Sequence, residues 1–461
     1  MLTLAACGTA PPSSATLTPA VPAQWPTLPT TADASEAKQA WWRRLQDAQL
    51  LALQEQAQQA NADIGRALLR WQRAGLLVDQ GRLAQNLQPS VGLSTSANRP
   101  LQSQSSTSQV QVGGVTVPVT TSAGITKSFG LSAGARYEVD LWSRLAEGSR
   151  ADLADAEGAR ADVDAARWLI STQVAERYWS VAAIDAQLPL AREQLTNAEQ
   201  ALALTRLRLE NAKLLPWDVD KASSAVQDAA TRLASLELDR QQHRQALAVL
   251  TGADLPGPSL AQAHLPAQAL PDWQIGPPER VLEQRPDVRK ARLAVDAALH
   301  RSKVTEAERY PQLSLSAGVS TGGSAWRDWL SQPLGSLAAG LTVPLIDWRR
   351  LNLNRDLART DLELAALSLR DSLTIAIADI ETQFGERSRA QSALQASLAH
   401  GAEARRAERI ARLRYEVGTL GRLDWLQARN ASLAAEQDRI GLELKSWINM
   451  LALSKALGGP V

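Results

Sequence analysis

The sequence predicts a mainly α-helical chain with a transmembrane β part, built from two internal repeats. Four short runs alternate apolar and polar residues with period two. Much longer stretches carry apolar residues at steps of three and four. The second half of the chain repeats the first at a fixed offset. Ordinary domain sizes of roughly 100–200 residues suggest two to four domains. The repeat gives a better division.

Composition narrows the function classes. Of 461 residues, 49 are Lys or Arg and 48 are Asp or Glu, for a net charge of +1. That balance offers no broad electrostatic case for nucleic acid or an acidic partner. One Cys excludes a disulfide framework and a Cys-based zinc site. The four histidines (243, 264, 300, 400) show no ligand spacing, so no metal or cofactor is expected. No uncharged apolar run approaches the ~20 residues of a transmembrane helix. Gly318-Val319-Ser320-Thr321-Gly322 matches a hydrolase elbow pattern. It runs from a strand into a Gly/Ser loop rather than a helix, so no enzyme is expected. Asn430-Ala431-Ser432 matches a glycosylation acceptor but falls inside a helical stretch.

At the N-terminus, Leu4-Ala5-Ala6-Cys7-Gly8 looks like a bacterial lipobox. Cys7 is then the expected lipid anchor, with palmitate among its acyl chains. Only six residues precede it and none is basic, fewer than a signal with an apolar stretch of ~7–15 residues needs. The lipobox therefore implies a start upstream, or a signal that does not work as written. The Pro/Ser/Thr/Ala-rich stretch from Thr9 to Pro29 suits a flexible tether.

The alternating runs come next. Val91, Leu93 and Thr95 form one, and Phe129 through Val139 another. Leu313 to Val319 and Leu337 to Val343 are the third and fourth. Period two means one apolar and one polar face. Each run is about the ~9–11 residues of a tilted membrane strand. The polar partners are mostly Ser, Gly and Thr, which suits a wet lumen; an ordinary half-solvated sheet would alternate alike. From Pro100 to Thr126 no residue is charged, and Val110 to Val117 reads as a hairpin about Gly113-Gly114. The other connection, Thr321 to Ser336, carries Trp326 and Trp329. Two hairpins give four strands, whereas a barrel needs about eight and open edges cannot face lipid. If these strands cross a membrane, several chains must share one barrel.

The remaining stretches read as long helices. Leu362, Ala366, Leu369, Leu373, Ile377, Ile380 and Phe384 step by threes and fours, as do Val163, Ala166, Ile170, Val174, Tyr178 and Val181. These stripes predict coiled-coil hairpins. From Asp140 to about Asn211 the only strong breaker is Pro189. The repeat is plain at several places: Arg206-Leu207-Arg208-Leu209-Glu210 recurs as Arg412-Leu413-Arg414-Tyr415-Glu416, an offset of 206 (412 − 206). At that offset Trp142 falls on Trp348, Leu214 on Leu420, and Asp218 on Asp424.

Taken in order, the motifs resemble the TolC-type outer-membrane efflux channels, in the lipid-anchored branch that serves resistance–nodulation–division pumps. The matching residues are the Cys7 lipobox, Trp42 with Leu45 and Asn61, and Tyr137-Glu138-Val139-Asp140-Leu141-Trp142-Ser143-Arg144. Further along are Arg285-Pro286-Asp287-Val288, Tyr310-Pro311-Gln312-Leu313, Val343-Pro344-Leu345-Ile346-Asp347 and Arg414-Tyr415-Glu416-Val417-Gly418. The resemblance runs from about residue 36 to the end.

It implies a homotrimer with a 12-stranded barrel and an α-helical periplasmic tunnel, passing small molecules passively out of a tripartite pump. The partners implied are a periplasmic adaptor, an inner-membrane resistance–nodulation–division transporter and outer-membrane lipid. A protein-secretion duct of the same fold is one alternative, and a soluble coiled-coil scaffold another. The expected segments are a signal remnant and tether (1–35), N-terminal helices (36–88) and a first β-hairpin with its extracellular loop (89–139). A long helical hairpin (140–254), a Pro-rich belt linker (255–284) and a helix (285–309) follow. The second β-hairpin (310–346), the second long hairpin (347–457) and a tail (458–461) complete the chain. The resemblance also implies a periplasmic gate at Tyr415, Arg422 and Asp424, with Asp218 the repeat's equivalent. Asp424 repeated about an axis forms an acidic ring, and Arg422 is expected to pair with an acid. Helix capping is the plainer role for Asp424. The family's second gate acid aligns with Gln427 and a gate Arg with Leu420, so the wiring departs from the pattern. Arg208, Leu214, Val417, Gly418 and Leu420 are the expected adaptor-docking tips, although Gly418 also reads as a helix terminator.

Overall fold

The structure is a computed structural model. It describes residues 21–22, 24–25, 47–99, 105–122, 125–211, 215–255, 257, 260, 263–266, 275–328, 330, 333–344 and 346–459. Cys7, Trp42, Leu45, Leu214 and Trp329 lie outside them, as do most of the tether and much of the belt linker. No described helix is long and apolar enough to cross a membrane.

The elements in order are α1 (Ala48–Ala60), α2 (Ala62–Ala84), β1 (Gln88–Asn98), β2 (Ser105–Val112), β3 (Val115–Ser122) and β4 (Thr126–Val139). Then come α3 (Arg144–Glu210), α4 (Pro216–Thr251), α5 (Pro278–Gln284), α6 (Pro286–Ala307), β5 (Gln312–Gly323) and β6 (Leu334–Thr342). The chain closes with α7 (Trp348–Glu416) and α8 (Arg422–Ala456). At 67 and 69 residues, α3 and α7 are each about 100 Å long at 1.5 Å per residue. Pro189 lies inside α3 and does not end it.

The chain divides into two units, and each repeat contributes to both. Among the described residues, one comprises those within 73–156 and 294–365. It holds a four-stranded antiparallel sheet in the order β1-β4-β5-β6. Facing pairs share a side, so the register sorts the residues into two faces. Val91↔Ala133↔Val319 and Leu93↔Leu131 lie on the apolar face, with Tyr137↔Leu315↔Ala339. Ser90↔Gly134↔Gly318↔Ser336 and Ser132↔Ser320 lie on the polar one. The alternation read from sequence is therefore continuous across all four strands. One run is shorter than expected: β6 ends at Thr342, and Val343 precedes Pro344, which restricts its backbone and cannot donate to a ladder. The β2–β3 hairpin is a separate two-stranded sheet turning at Gly113 (φ 63°) and Gly114 (φ 82°), as a type I′ turn requires.

The motif after β4 builds the strand-to-helix corner. Glu138 accepts from Arg144 Nη2 at 2.7 Å, and the Asp140 carboxylate caps α3 by accepting from Ala146 N. Trp142 donates to the Pro311 carbonyl and stacks on Tyr310 at 4.7 Å. Its repeat equivalent Trp348 lies beneath Arg309 at 4.5 Å. Nearby, the buried Glu147 accepts from His300, with Lys303 at 3.7 Å and Arg150 also paired to it. Burial pushes this carboxyl up, but the His300 hydrogen bond and the Lys303, His300 and Arg150 charges outweigh it and hold the pKa below its ordinary 4.5.

The second unit comprises residues 15–72, 157–293 and 366–461. Its core packs Leu50, Leu53, Ala57 and Ile64 against Trp168, Val174, Tyr178 and Trp179 of α3 and Trp447, Met450 and Leu451 of α8. Asn61 earns its place in the motif twice. Its Oδ1 caps α2 by accepting from Asp63 N and Ile64 N, and its Nδ2 donates to Leu250 O of α4 at 2.9 Å. The Arg285-Pro286-Asp287 motif acts as a clasp. Arg285 Nη1 donates to Ala456 O at 2.7 Å and to Asp379 at 3.2 Å, while Nη2 reaches Asp287 at 2.8 Å. One guanidinium thus joins the ends of α6 and α8 to the middle of α7.

Candidate gate and lumenal face

The expected gate residues all belong to the second unit, Tyr415, Arg422 and Asp424 around the turn between α7 and α8 and Asp218 at the start of α4. α7 ends in a Schellman motif. Thr419 N donates to Arg414 O at 2.8 Å and Gly418 N to Tyr415 O at 3.0 Å. Gly418 sits at φ 78°, a left-handed conformation that costs a side-chain-bearing residue roughly 1–2 kcal/mol. The chain then re-enters a helix at Gly421, the N-cap of α8.

Tyr415 stacks on Trp425 across this turn, centroids 5.3 Å apart and planes 5° from parallel. Arg422 was expected to meet an acid; instead its Nη2 donates to the neutral Gln200 Oε1 of α3 at 2.9 Å. A guanidinium needs only an oxygen acceptor, and the amide of Gln200 supplies one on the facing helix. Asp424 is exposed in the first turn of α8. A Cβ on Gly421 would stand 3.0 Å from its Oδ2 and 3.5 Å from Arg208 Nη2, so both charges flank that residue. Asp218, the repeat's equivalent, accepts from Leu215 N at 3.0 Å and caps α4. Val417 is exposed and Leu420 half-buried. Leu215 and Trp217 add exposed apolar surface at the other turn.

Further links tie α8 to α3. Arg429 reaches Glu193 at 2.7 and 2.9 Å and Glu408 at 3.2 Å. Asn197 donates to Asn430 at 2.9 Å, and Gln187 to Gln437 O at 3.2 Å. With Arg422–Gln200 they make a polar seam between the first and second hairpins. Sequence reading missed Gln200, Glu193, Trp425 and Arg429. One signal was available: at the 206 offset Trp425 falls on Val219 and Arg429 on Ser223, so the seam sits where the repeats differ.

The other candidate surface is the sheet. Its apolar face is exposed, with Val91 at 79% and Leu337 at 86%. Its polar face is a lattice of serine against glycine. Ser132 Oγ lies 3.3 Å from Gly92 O, Ser94 3.4 Å from Gly130 O, and Ser336 3.4 Å from Gly318 O. A Cβ on Gly130 would meet Ser94 Oγ at 3.0 Å, and one on Gly92 would meet Ser132 Oγ at 3.1 Å. Neither β1 nor β6 has a second strand partner among the described residues.

These features match known proteins. Residues 53–253 and 278–459 match the family described as outer membrane efflux protein. The chain is 28% identical, over 99% of its length and 95% of the relative's, to the pyoverdine export outer membrane protein OpmQ of Pseudomonas aeruginosa. It is 25% identical, over 95% of its length and 90% of the relative's, to the toluene efflux pump outer membrane protein TtgC of Pseudomonas putida. Among solved structures, the open state of the MtrE outer membrane channel of Neisseria gonorrhoeae superposes with a TM-score of 0.78 at 22% identity, covering 96% of this chain and 98% of that one.

Proposed function

The chain belongs to the outer membrane efflux protein family, and on that premise we propose that three copies form one passive exit duct of a tripartite pump. The carrying observation is the sheet: four strands, one exposed apolar face, one Ser/Gly face and two unpaired edges. Lipid tolerates no open edge, so the edges must be covered by further copies. Three chains give twelve strands, enough for a water-filled lumen. The apolar face then meets lipid and the Ser/Gly face lines the lumen. The long helices extend the duct through the periplasm, and the tips at Arg208, Leu214, Val417, Gly418 and Leu420 meet a periplasmic adaptor below which a resistance–nodulation–division transporter supplies small molecules. Cys7 carries the lipid anchor.

The duct closes by the α3–α8 seam. Arg422–Gln200 ties the second hairpin to α3, Tyr415–Trp425 braces the turn of that hairpin, and Asp424 from each copy contributes to an acidic ring that retains cations. The purified protein in planar bilayers tests this. We expect a trimer that conducts, and Asp424→Ala raising conductance or lessening block by divalent cations. Unchanged conductance and block would remove Asp424 from the gate; a monomer that stays fully in the aqueous phase would remove the duct itself.

A further inference from the structure

We infer that the barrel carries a basic filter at Arg136, which favours anionic cargo at the end where strands give way to helices. The inference rests on the duct proposed above and concerns a residue outside the gate.

On the polar face of the four-stranded sheet, only β4 bears charged residues: Arg136 and Glu138. Glu138 is already neutralised by Arg144, through Nη2 at 2.7 Å and Nε at 3.3 Å. Arg136 has no such partner among the described residues. It is exposed, and the residues directly facing it are Gln88 on β1 and Ser316 on β5, both neutral. The next positions on its face are Gly134 and Glu138 along β4, Ser90 on β1, and Gly318 and Ser314 on β5. β4 is an inner strand, paired on both sides within its own chain. Arg136 is therefore flanked on both sides by strands of its own chain.

A guanidinium stays charged at any working pH and binds carboxylate or phosphate oxygens through paired donors. Closing the barrel places one such group per copy around the lumen, on a face whose other residues, the paired Glu138 apart, are uncharged. Solutes bearing carboxylate or phosphate groups are the class that Arg136 favours.

The test is a potassium chloride gradient across a planar bilayer holding the reconstituted protein. Wild type is compared with Arg136→Ser, Arg136→Glu and Arg136→Lys, all in an Arg422→Ala/Asp424→Ala background that loosens the gate. At ~0.01 M salt, with a screening length of about 30 Å, the chloride-to-potassium permeability ratio should fall about twofold or more in the Ser variant. It should fall further in the Glu variant and stay at the wild-type value in the Lys variant. At ~1 M salt, with a screening length of about 3 Å, the differences should close. Conducting channels with one ratio across all four proteins at low salt would overturn the filter and leave the duct standing. If no version conducts, the duct fails and takes the filter with it.

Discussion

At the scale of single residues, the motifs act as fasteners. Asn61, Asp140 and Asp218 cap helices, Arg285 clasps three of them, and Arg144 holds the strand corner to a helix start. Glu147 is the most exacting of these. A carboxyl whose folded pKa is depressed contributes stability above its unfolded pKa, and that contribution is lost as pH falls through the folded value. For Glu147 the window opens below its ordinary 4.5 and extends to the depressed value. We expect Glu147→Gln to cost about 1.5–3 kcal/mol at neutral pH, the range for hydrogen bonds to charged groups. Thermal unfolding from pH ~7 to ~3 checks the sign: the gap between wild type and variant should narrow only on the acid side. A gap that widens there would contradict the assignment. None of these partnerships was legible beforehand. Glu147 meets His300 across 153 positions of chain, and Arg422 meets an amide where sequence pointed to an acid.

At the scale of elements, periodicity was sufficient for type and insufficient for pairing. Alternation located the four strands because a sheet with unlike faces leaves a period-two trace whatever covers it. It could not show that β4 and β5, separated by the first helical hairpin, lie side by side. The repeat was likewise half visible. The offset of 206 holds from β4 onward, but α2 and β1 precede α6 and β5 by 224 (286 − 62 and 312 − 88). The β2–β3 hairpin lies in the first inter-strand connection, between β1 and β4, and shifts the register of everything before it. The Ser/Gly lattice yields a prediction at this scale. At Gly92 and Gly130 the facing serine hydroxyl stands 3.1 and 3.0 Å from where a Cβ would be. Gly130→Val should cut the yield of folded trimer in outer-membrane fractions. Exchanging the pair, as Ser94→Gly with Gly130→Ser, should restore it. Failure of the exchange would mean that Gly130 answers to Thr321 O at 3.5 Å instead.

At the scale of the whole molecule, the proposed duct meets the membrane twice, by strands and by a lipid on Cys7. The two attachments should be separable, since an apolar strand face buries far more hydrocarbon surface than acyl chains that add ~0.8 kcal/mol per buried methylene. Cys7→Ser should therefore abolish palmitate labelling while trimers still form; label that persists would sink the anchor. The unpaired edges of β1 and β6 have a further consequence, in heredity. A channel that no single chain can close is always a mixture when two alleles are expressed. With equal supply and random assembly, only about one trimer in eight is wholly wild type. A lesion that needs one altered copy to hold the exit ajar is then dominant, and a cell with an intact second gene leaks all the same. A lesion that merely prevents strand pairing drops out of assembly and stays recessive.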